Sequence, residues 1–149
     1  MEYSFDMCRL FGDVFISDDN SACALVIYPD KKTVTFQSVL LDLKLICRSV
    51  GLKNIQKVMS REAALKAIRQ QKHISCLWFI GVVPTNQHKG VGSKLLRAVI
   101  DYSADQGRAI YLETSNQLNL PWYKGIGFKI YSEKNFGHTL YFLKQEIEN

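Results

Sequence analysis

Between Pro84 and Leu96 the chain reads PTNQHKGVGSKLL, a stretch whose residue types suit the holding of an anion. Gly90 and Gly92 open a segment in which Val91, Leu95, Val99 and Tyr102 fall on one helical stripe. The first N–H groups of a helix have no acceptor within it and carry the positive end of its dipole, so anions gather there. With no side chains at 90 and 92, a phosphate can come close to the backbone. Ser93 adds a hydroxyl, and Gln87, His88 and Lys89 add side-chain donors, or are simply exposed loop residues. Two common phosphate turns do not fit. A P-loop needs Lys directly before its Ser or Thr, but Gly92 precedes Ser93. A dinucleotide turn needs Gly or Ala where this chain has Leu95.

Such a turn needs a strand to lead into it. CLWFIGVV, Cys76 to Val83, carries no charge and is stopped by Pro84, which suits a strand covered on both faces in the middle of a sheet. Upstream, DVFISDD and SACALVIYPD read as a hairpin around Asp18, Asp19 and Asn20. Val39, Leu40, Leu43, Ile46, Cys47 and Val50 share one helical face that Gly51 ends, and residues 54–71 read as two short helices. Downstream, Gly107 closes the helix begun at Gly90, AIYLETS reads as a strand, and LNLPWYKG as a short helix. FKIYSE and TLYFLKQ form a final antiparallel pair. The expected fold is one α/β (α+β) domain over 1–149, with a mixed, mostly antiparallel central sheet flanked by helices.

The spacing Gln, two residues, Gly, any residue, Gly, after a V-x-P strand end, resembles the acetyl-CoA pyrophosphate motif of the GNAT family of N-acetyltransferases. LETSNQLNLPWYKGIGFKIY is similar to the closing segment of the same family. The resemblance covers residues 76–144 by motif and 11–30 by strand pattern. It implies acetyl-CoA as co-substrate, with main-chain groups of Ile80, Gly81 and Val82 pairing with the pantetheine arm. Amides from His88 to Ser93, with Lys89, Gly90, Val91 and Gly92 between them, would hold the pyrophosphate. The amides of the strand would stabilise the oxyanion as an amine attacks. An alkyl ammonium of pKa about 10 must lose a proton before attack, and the leaving thiolate must gain one. Tyr123 matches the general acid of the family, or it packs the last helix as an aromatic. Asn116 matches a cofactor-contacting Asn, and Asn119 is a second polar candidate or a helix cap.

No carboxylate lies on the central strand. Relatives that carry the base on the following strand place it at the position of Tyr111, and Glu113 stands two residues on, on the same face. Glu113 is the candidate base or water-positioner; the alternatives are a structural role or a chain of waters. The resemblance also implies a strand and helices walling the acceptor pocket ahead of the hairpin. Here only residues 1–10 precede it, a shortened N-terminal part. Either that segment is missing, and an exposed edge strand invites pairing into a homodimer, or the helical region that begins near Gln37 and carries Val39 to Val50 takes over its role. The implied activity is acetyl transfer to a primary amine of a small molecule or protein; the alternative is a non-catalytic acyl-CoA-binding or assembly module.

The bulk properties are those of an ordinary globular, soluble protein. The 149 residues are 47% hydrophobic and 22% charged, with no apolar run of the roughly 18 residues that a membrane helix needs. The first residues, MEYSFDMCRLFG, show no secretory pattern, and Cys8, Cys23, Cys47 and Cys76 form no CxxC pair, so a cytoplasmic protein with reduced thiols is expected. The net charge of +5 favours an anionic partner. Lys53, Lys57, Arg61, Lys66, Arg69 and Lys72 recur at helical spacing without interleaved aromatics, which reads as a solvated face rather than a nucleic-acid surface. His73 and Cys76 are two metal-ligand types without partners at suitable spacing, so no metal is expected.

Overall fold

The structure, a computed structural model, describes residues 2–32, 73–135 and 137–147. The helices expected over 39–50 and 54–71, and the basic residues from Lys53 to Lys72, lie outside the described residues. Elements are labelled in order among those described: α1 (Glu2–Phe11), β1 (Gly12–Ile16), β2 (Ala22–Ile27), β3 (Ile74–Val82), α2 (Val91–Asp105), β4 (Ala109–Thr114), α3 (Leu120–Ile126), β5 (Lys129–Asn135) and β6 (Thr139–Gln145). One six-stranded sheet runs in the order β1-β2-β3-β4-β6-β5. Its one parallel pair is β3 with β4; the other pairs are antiparallel. The expected mixed, mostly antiparallel sheet flanked by helices is therefore present.

Alternation along the strands builds two faces. Val26 and Leu77, with Ile110 and Leu112 of β4, pack under Leu95, Leu96 and Val99 of α2 and Tyr123 and Ile126 of α3. Each of the fully buried side chains contributes about 1.5–3 kcal/mol, so this layer is the main core. On the other face Ile74, Cys76, Ala109 and Tyr111 form a smaller cluster. Residues 2–11, read in the sequence as little more than a short lead-in, fold into α1. Met7, Cys8 and Phe11 fall at i, i+1 and i+4 and are all buried. Burial pushes the Cys8 thiol up to about 12, which keeps it protonated and inert. Tyr3 places its ring edge-on to Trp78, with centroids 6.0 Å apart.

One end of the β3/β4 pair is clamped. Arg108, 4% exposed, donates through Nη1 and Nη2 to the two carboxylate oxygens of Asp30, at 2.7 and 2.8 Å, and through Nη1 to Ile74 O at 3.1 Å. Its guanidinium lies 4.5 Å from the centre of the Tyr28 ring, and the Tyr28 hydroxyl donates to Asp13 Oδ2 at 2.5 Å. The other end opens. β3 pairs with β4 only from Ile74 to Leu77 against Ala109 to Leu112, although both strands continue.

The divergence starts at a bulge. Against β2, Val26 faces Leu77 and Leu25 faces Phe79, so Trp78 is an extra residue in β3. The sequence expectation of a strand covered on both faces from 76 to 83 holds for Ile74 to Leu77, all buried, and fails beyond. Trp78 is 43% exposed, Phe79 to Val82 are half-buried, and the strand ends at Val82. The physical reason is the bulge: it bends β3 away from β4, and the outer half of the strand becomes the wall of a groove.

Candidate functional site

Among the described residues, the fork leaves backbone groups of β3 without a neighbour strand. Val83 N–H donates to Ser21 O, at 2.8 Å, so alternation along the antiparallel ladder turns Gly81 toward β2 and Ile80 and Val82 toward the fork. Ile80 and Val82 thus present main-chain groups where an extended ligand would need them. Gly81 does not, and its lack of a side chain has another cause. A Cβ there would lie 2.8 Å from the Phe79 ring, which folds over it. Val82 O already accepts from Gln87 Nε2 at 3.1 Å, so the Gln87 side chain braces the loop against the strand end.

The loop from Pro84 begins as a 3-10 turn over Pro84–Asn86 and then enters the left-handed region twice, at His88 (φ 60°) and Gly90 (φ 81°). This gathers successive N–H groups into a concavity at the start of α2. Among the described residues, the N–H groups from His88 to Ser93 have no protein acceptor; the first hydrogen bond of the helix is Lys94 N–H to Gly90 O at 2.9 Å. The space around Gly92 is tighter than that around Gly90. A Cβ at 92 would stand 3.1 Å from Val82 Cγ2, whereas one at 90 meets nothing within 4 Å. Ser93 Oγ accepts from Trp122 Nε1 at 2.8 Å, which ties the start of α2 to α3 and leaves the hydroxyl proton free to donate outward. Lys89 reaches Asn86 Oδ1 at 3.5 Å.

A groove of about 640 Å³ joins these groups. It is lined by the outer half of β3, by Gln87, His88, Gly90, Gly92 and Ser93, and by Asn119, Trp122 and Tyr123. Tyr123 is 7% exposed, with its ring 4.7 Å from Trp122 and 5.8 Å from Phe128. Burial pushes its pKa above the usual phenol value, so it stays protonated and able to donate. The two candidate asparagines differ in place. Asn116 Oδ1 accepts from Leu118 N–H at 3.1 Å, capping the 3-10 turn Gln117–Asn119. Asn119, expected as a second polar candidate or a helix cap, makes no side-chain cap bond and lines the groove.

Glu113 reaches the fork from the other side. It shares the face of Tyr111, opposite α2 and α3, and lines a second cavity of about 370 Å³ with Tyr111, Trp78 and Tyr131. The structure therefore brings Tyr123 and the loop 87–93 together in one groove and sets Glu113 across the sheet from them. Among the described residues, no group of three or more His, Cys, Asp or Glu is placed to hold a metal. No described helix is long and apolar enough to cross a membrane. Three features were not visible in the sequence: the bulge at Trp78, the Trp122–Ser93 bond across 29 positions, and α1. Only α1 left a local trace, the spacing of Met7, Cys8 and Phe11.

A family model described as acetyltransferase (GNAT) family matches residues 49–128, which is 80 of the 149 residues. The chain belongs to the GNAT acetyltransferase family. Solved structures agree on the fold. The chain is similar to mosquito arylalkylamine N-acetyltransferase like 5b, at 14% identity and a TM-score of 0.61, over 97% of this chain and 78% of that one. It is similar to the ribosomal-protein-S18-alanine N-acetyltransferase from Escherichia coli at 16% identity and a TM-score of 0.50, over 87% and 63%. Against Arabidopsis thaliana Naa50, solved in complex with the bisubstrate analogue CoA-Ac-MVNAL, the identity is 25% and the TM-score 0.45, over 48% and 54%. The chain thus spans less than two thirds of the length of the latter two.

Proposed function

We propose that this GNAT chain, as one domain over 1–149, moves an acetyl group from acetyl-CoA to a primary amine by direct attack in a ternary complex. The observation that carries the reading is the fork. β3 turns the main chain of Ile80 and Val82 into a groove that ends at the N–H groups of residues 88–93, which have no acceptor among the described residues. The residues present fit acetyl-CoA: the strand edge suits the amides of pantetheine, and the N-terminus of α2 suits the pyrophosphate. Ser93, and the side chains of His88 and Asn119, supply further donors along the groove.

In this reading the amine nitrogen attacks the thioester carbonyl from the Glu113 side of the fork, and the C–N bond forms as the C–S bond breaks. The strand N–H groups stabilise charge on the carbonyl oxygen. Tyr123 gives its proton to the leaving sulfur, and the proton lost by nitrogen passes to Glu113 directly or through water. The test is thiol release from acetyl-CoA with a panel of amines, paired with calorimetric titration of CoA. Tyr123→Phe is expected to lower kcat by about a hundredfold to ten-thousandfold, with little change in CoA affinity. No thiol release with any amine would overturn the reading, and binding without turnover would favour an acyl-CoA-binding module.

A further inference from the structure

The loop that ends the groove is braced by the hairpin between β1 and β2. At the hairpin tip Asn20 takes the left-handed conformation, φ 55°, and Asp19 is tied to its neighbours. Ser17 Oγ and Ser21 Oγ donate to Asp19 Oδ1 at 2.6 and 2.7 Å, and Ser21 N–H donates to it at 3.1 Å. These bonds, that of Ser17 first, lower the Asp19 carboxyl to about 2, so at neutral pH it is ionised and can only accept. Asp19 Oδ2, which Ser21 Oγ also reaches, accepts from Asn86 Nδ2 at 3.3 Å, across 67 positions. Asn86 Oδ1 in turn accepts from Lys89 Nζ at 3.5 Å. A carboxylate on one side and an ammonium on the other leave the Asn86 amide one orientation, with its NH2 toward Asp19 and its oxygen toward Lys89. Asn86 lines the groove, so this contact brings the Lys89 ammonium to the groove's edge.

We propose that Asp19 is a positioning residue for phosphate binding that acts through Asn86 on Lys89, so that removing its negative charge weakens the binding of an anion. This rests on the assignment of the loop 88–93 to the pyrophosphate of CoA. Charge alone gives the opposite sign, because a carboxylate near an anion site repels the anion. Asp18, the preceding residue, supplies the comparison. It carries the same charge and pairs with Lys94 Nζ at 3.2 Å, between two exposed side chains. Asp18→Asn therefore removes one charge from the same turn and leaves the bonds of Asp19 and Asn86 whole. Asp19→Asn puts at 19 an amide that can donate. Asn86 is then free to turn over and present its NH2 to Lys89, which releases the ammonium. A loose lysine has to be immobilised when the anion arrives, and binding weakens by that cost.

The test is calorimetric titration of CoA and of inorganic pyrophosphate, at one ionic strength. The proteins are wild type, Asp18→Asn, Asp19→Asn, Asn86→Ala, Lys89→Met and the double variant Asp19→Asn/Lys89→Met. Asp19→Asn, Asn86→Ala and Lys89→Met are each expected to raise Kd about twofold to fivefold, the scale of an exposed charged contact. Asp18→Asn is expected to bind no more weakly than wild type, and Asp19→Asn to cause no further loss in the Lys89→Met background. Wild-type or tighter binding by Asp19→Asn, or the same loss with Lys89 already replaced, overturns the inference and leaves the CoA reading in place. A lowered thermal midpoint for Asp19→Asn beside wild-type affinity in Asn86→Ala also overturns it, since the loss then comes from the hairpin. The coupled loss with pyrophosphate, in a protein that releases no thiol with any amine, upholds the inference while acetyl transfer falls. If wild type binds neither CoA nor pyrophosphate, the inference falls, and acetyl transfer is judged on thiol release.

Discussion

Gly90 separates anion binding from backbone strain, because both can be worked out from its geometry. It sits at φ 81° and ψ −4°, and a Cβ there would meet no atom within 4 Å. Gly90→Ala therefore introduces no clash with the protein. Its cost is the left-handed conformation, about 1–2 kcal/mol for a residue with a Cβ. A stiffer unfolded chain offsets about 0.4–1 kcal/mol of that. The net loss is about 1 kcal/mol, a fall of about 2–4 °C in Tm for a chain of this size. Gly107, at φ 66° beyond the far end of α2, also has no atom within 4 Å of a Cβ, so Gly107→Ala carries the same strain away from the groove. The two variants should lose similar stability. Only Gly90→Ala should lose CoA affinity, because its methyl group enters the space beside the amides and the loop relaxes away from its left-handed turn. Anion stabilisation at a partly buried helix start reaches about 1–2 kcal/mol. At 1.4 kcal/mol per tenfold, the expected loss is roughly fivefold to thirtyfold in Kd. Thermal unfolding and calorimetric titration of CoA measure the two effects. Equal weakening by Gly107→Ala, or wild-type CoA affinity in a destabilised Gly90→Ala, would refute the assignment of this loop to the pyrophosphate.

Two further predictions concern the supports of the site. Trp122→Phe removes the 2.8 Å bond to Ser93 and should weaken CoA about fivefold, an effect worth about 1 kcal/mol that titration of Ser93→Ala should reproduce. At the clamped end, the paired Arg108 guanidinium holds the Asp30 carboxyl at about 2, below the usual 3.8. A depressed carboxylate stabilises the fold fully above about pH 4 and loses that contribution as pH falls toward 2, so Asp30→Asn should flatten this acid limb in urea midpoints measured from pH 5 to pH 2.5. Arg108→Ala should cost toward the low end of about 3–5 kcal/mol at pH 7, because it removes the bidentate partner of Asp30, which is 27% exposed and keeps some solvation and His73 Nδ1 at 3.5 Å.

The features legible in the sequence were those written in local chemistry. Pro84, Gly90 and Gly92 punctuate the chain at the points where the strand ends and α2 begins, so the loop was placed within a residue or two. β4, α3, β5 and β6 were legible because each alternates or is bounded by Gly or Pro. What escaped depended on contacts distant in sequence. An all-apolar run such as Cys76 to Val83 has no period-two signal, so a bulge within it leaves no trace. That Asn116 rather than Asn119 makes the cap turns on where a 3-10 turn begins, which the sequence does not mark. α1 was missed because its buried face has only three residues, and its worth comes from packing on β1 and β2.

The bulge is also what divides the two cavities. With strict alternation, the residues beyond Leu77 would keep their faces, and β3 would be free to run beside β4 to its end with the parallel ladder closed. Main-chain groups of Ile80 and Val82 would then be consumed by β4, as those of Gly81 are by β2. One inserted residue, Trp78, instead bends the strand and reverses its faces, so that Ile80 and Val82 pack toward α2 and α3 while their backbone faces the fork. Trp78 itself turns to the other cavity, where Tyr3 of α1 meets it edge-on. The same insertion thus opens a groove on the side of Tyr123 and gives an aromatic wall to the side of Glu113 and Tyr111. The acetyl transfer proposed for this chain would join two substrates across the sheet and needs such a gap, and a single extra residue accounts for it.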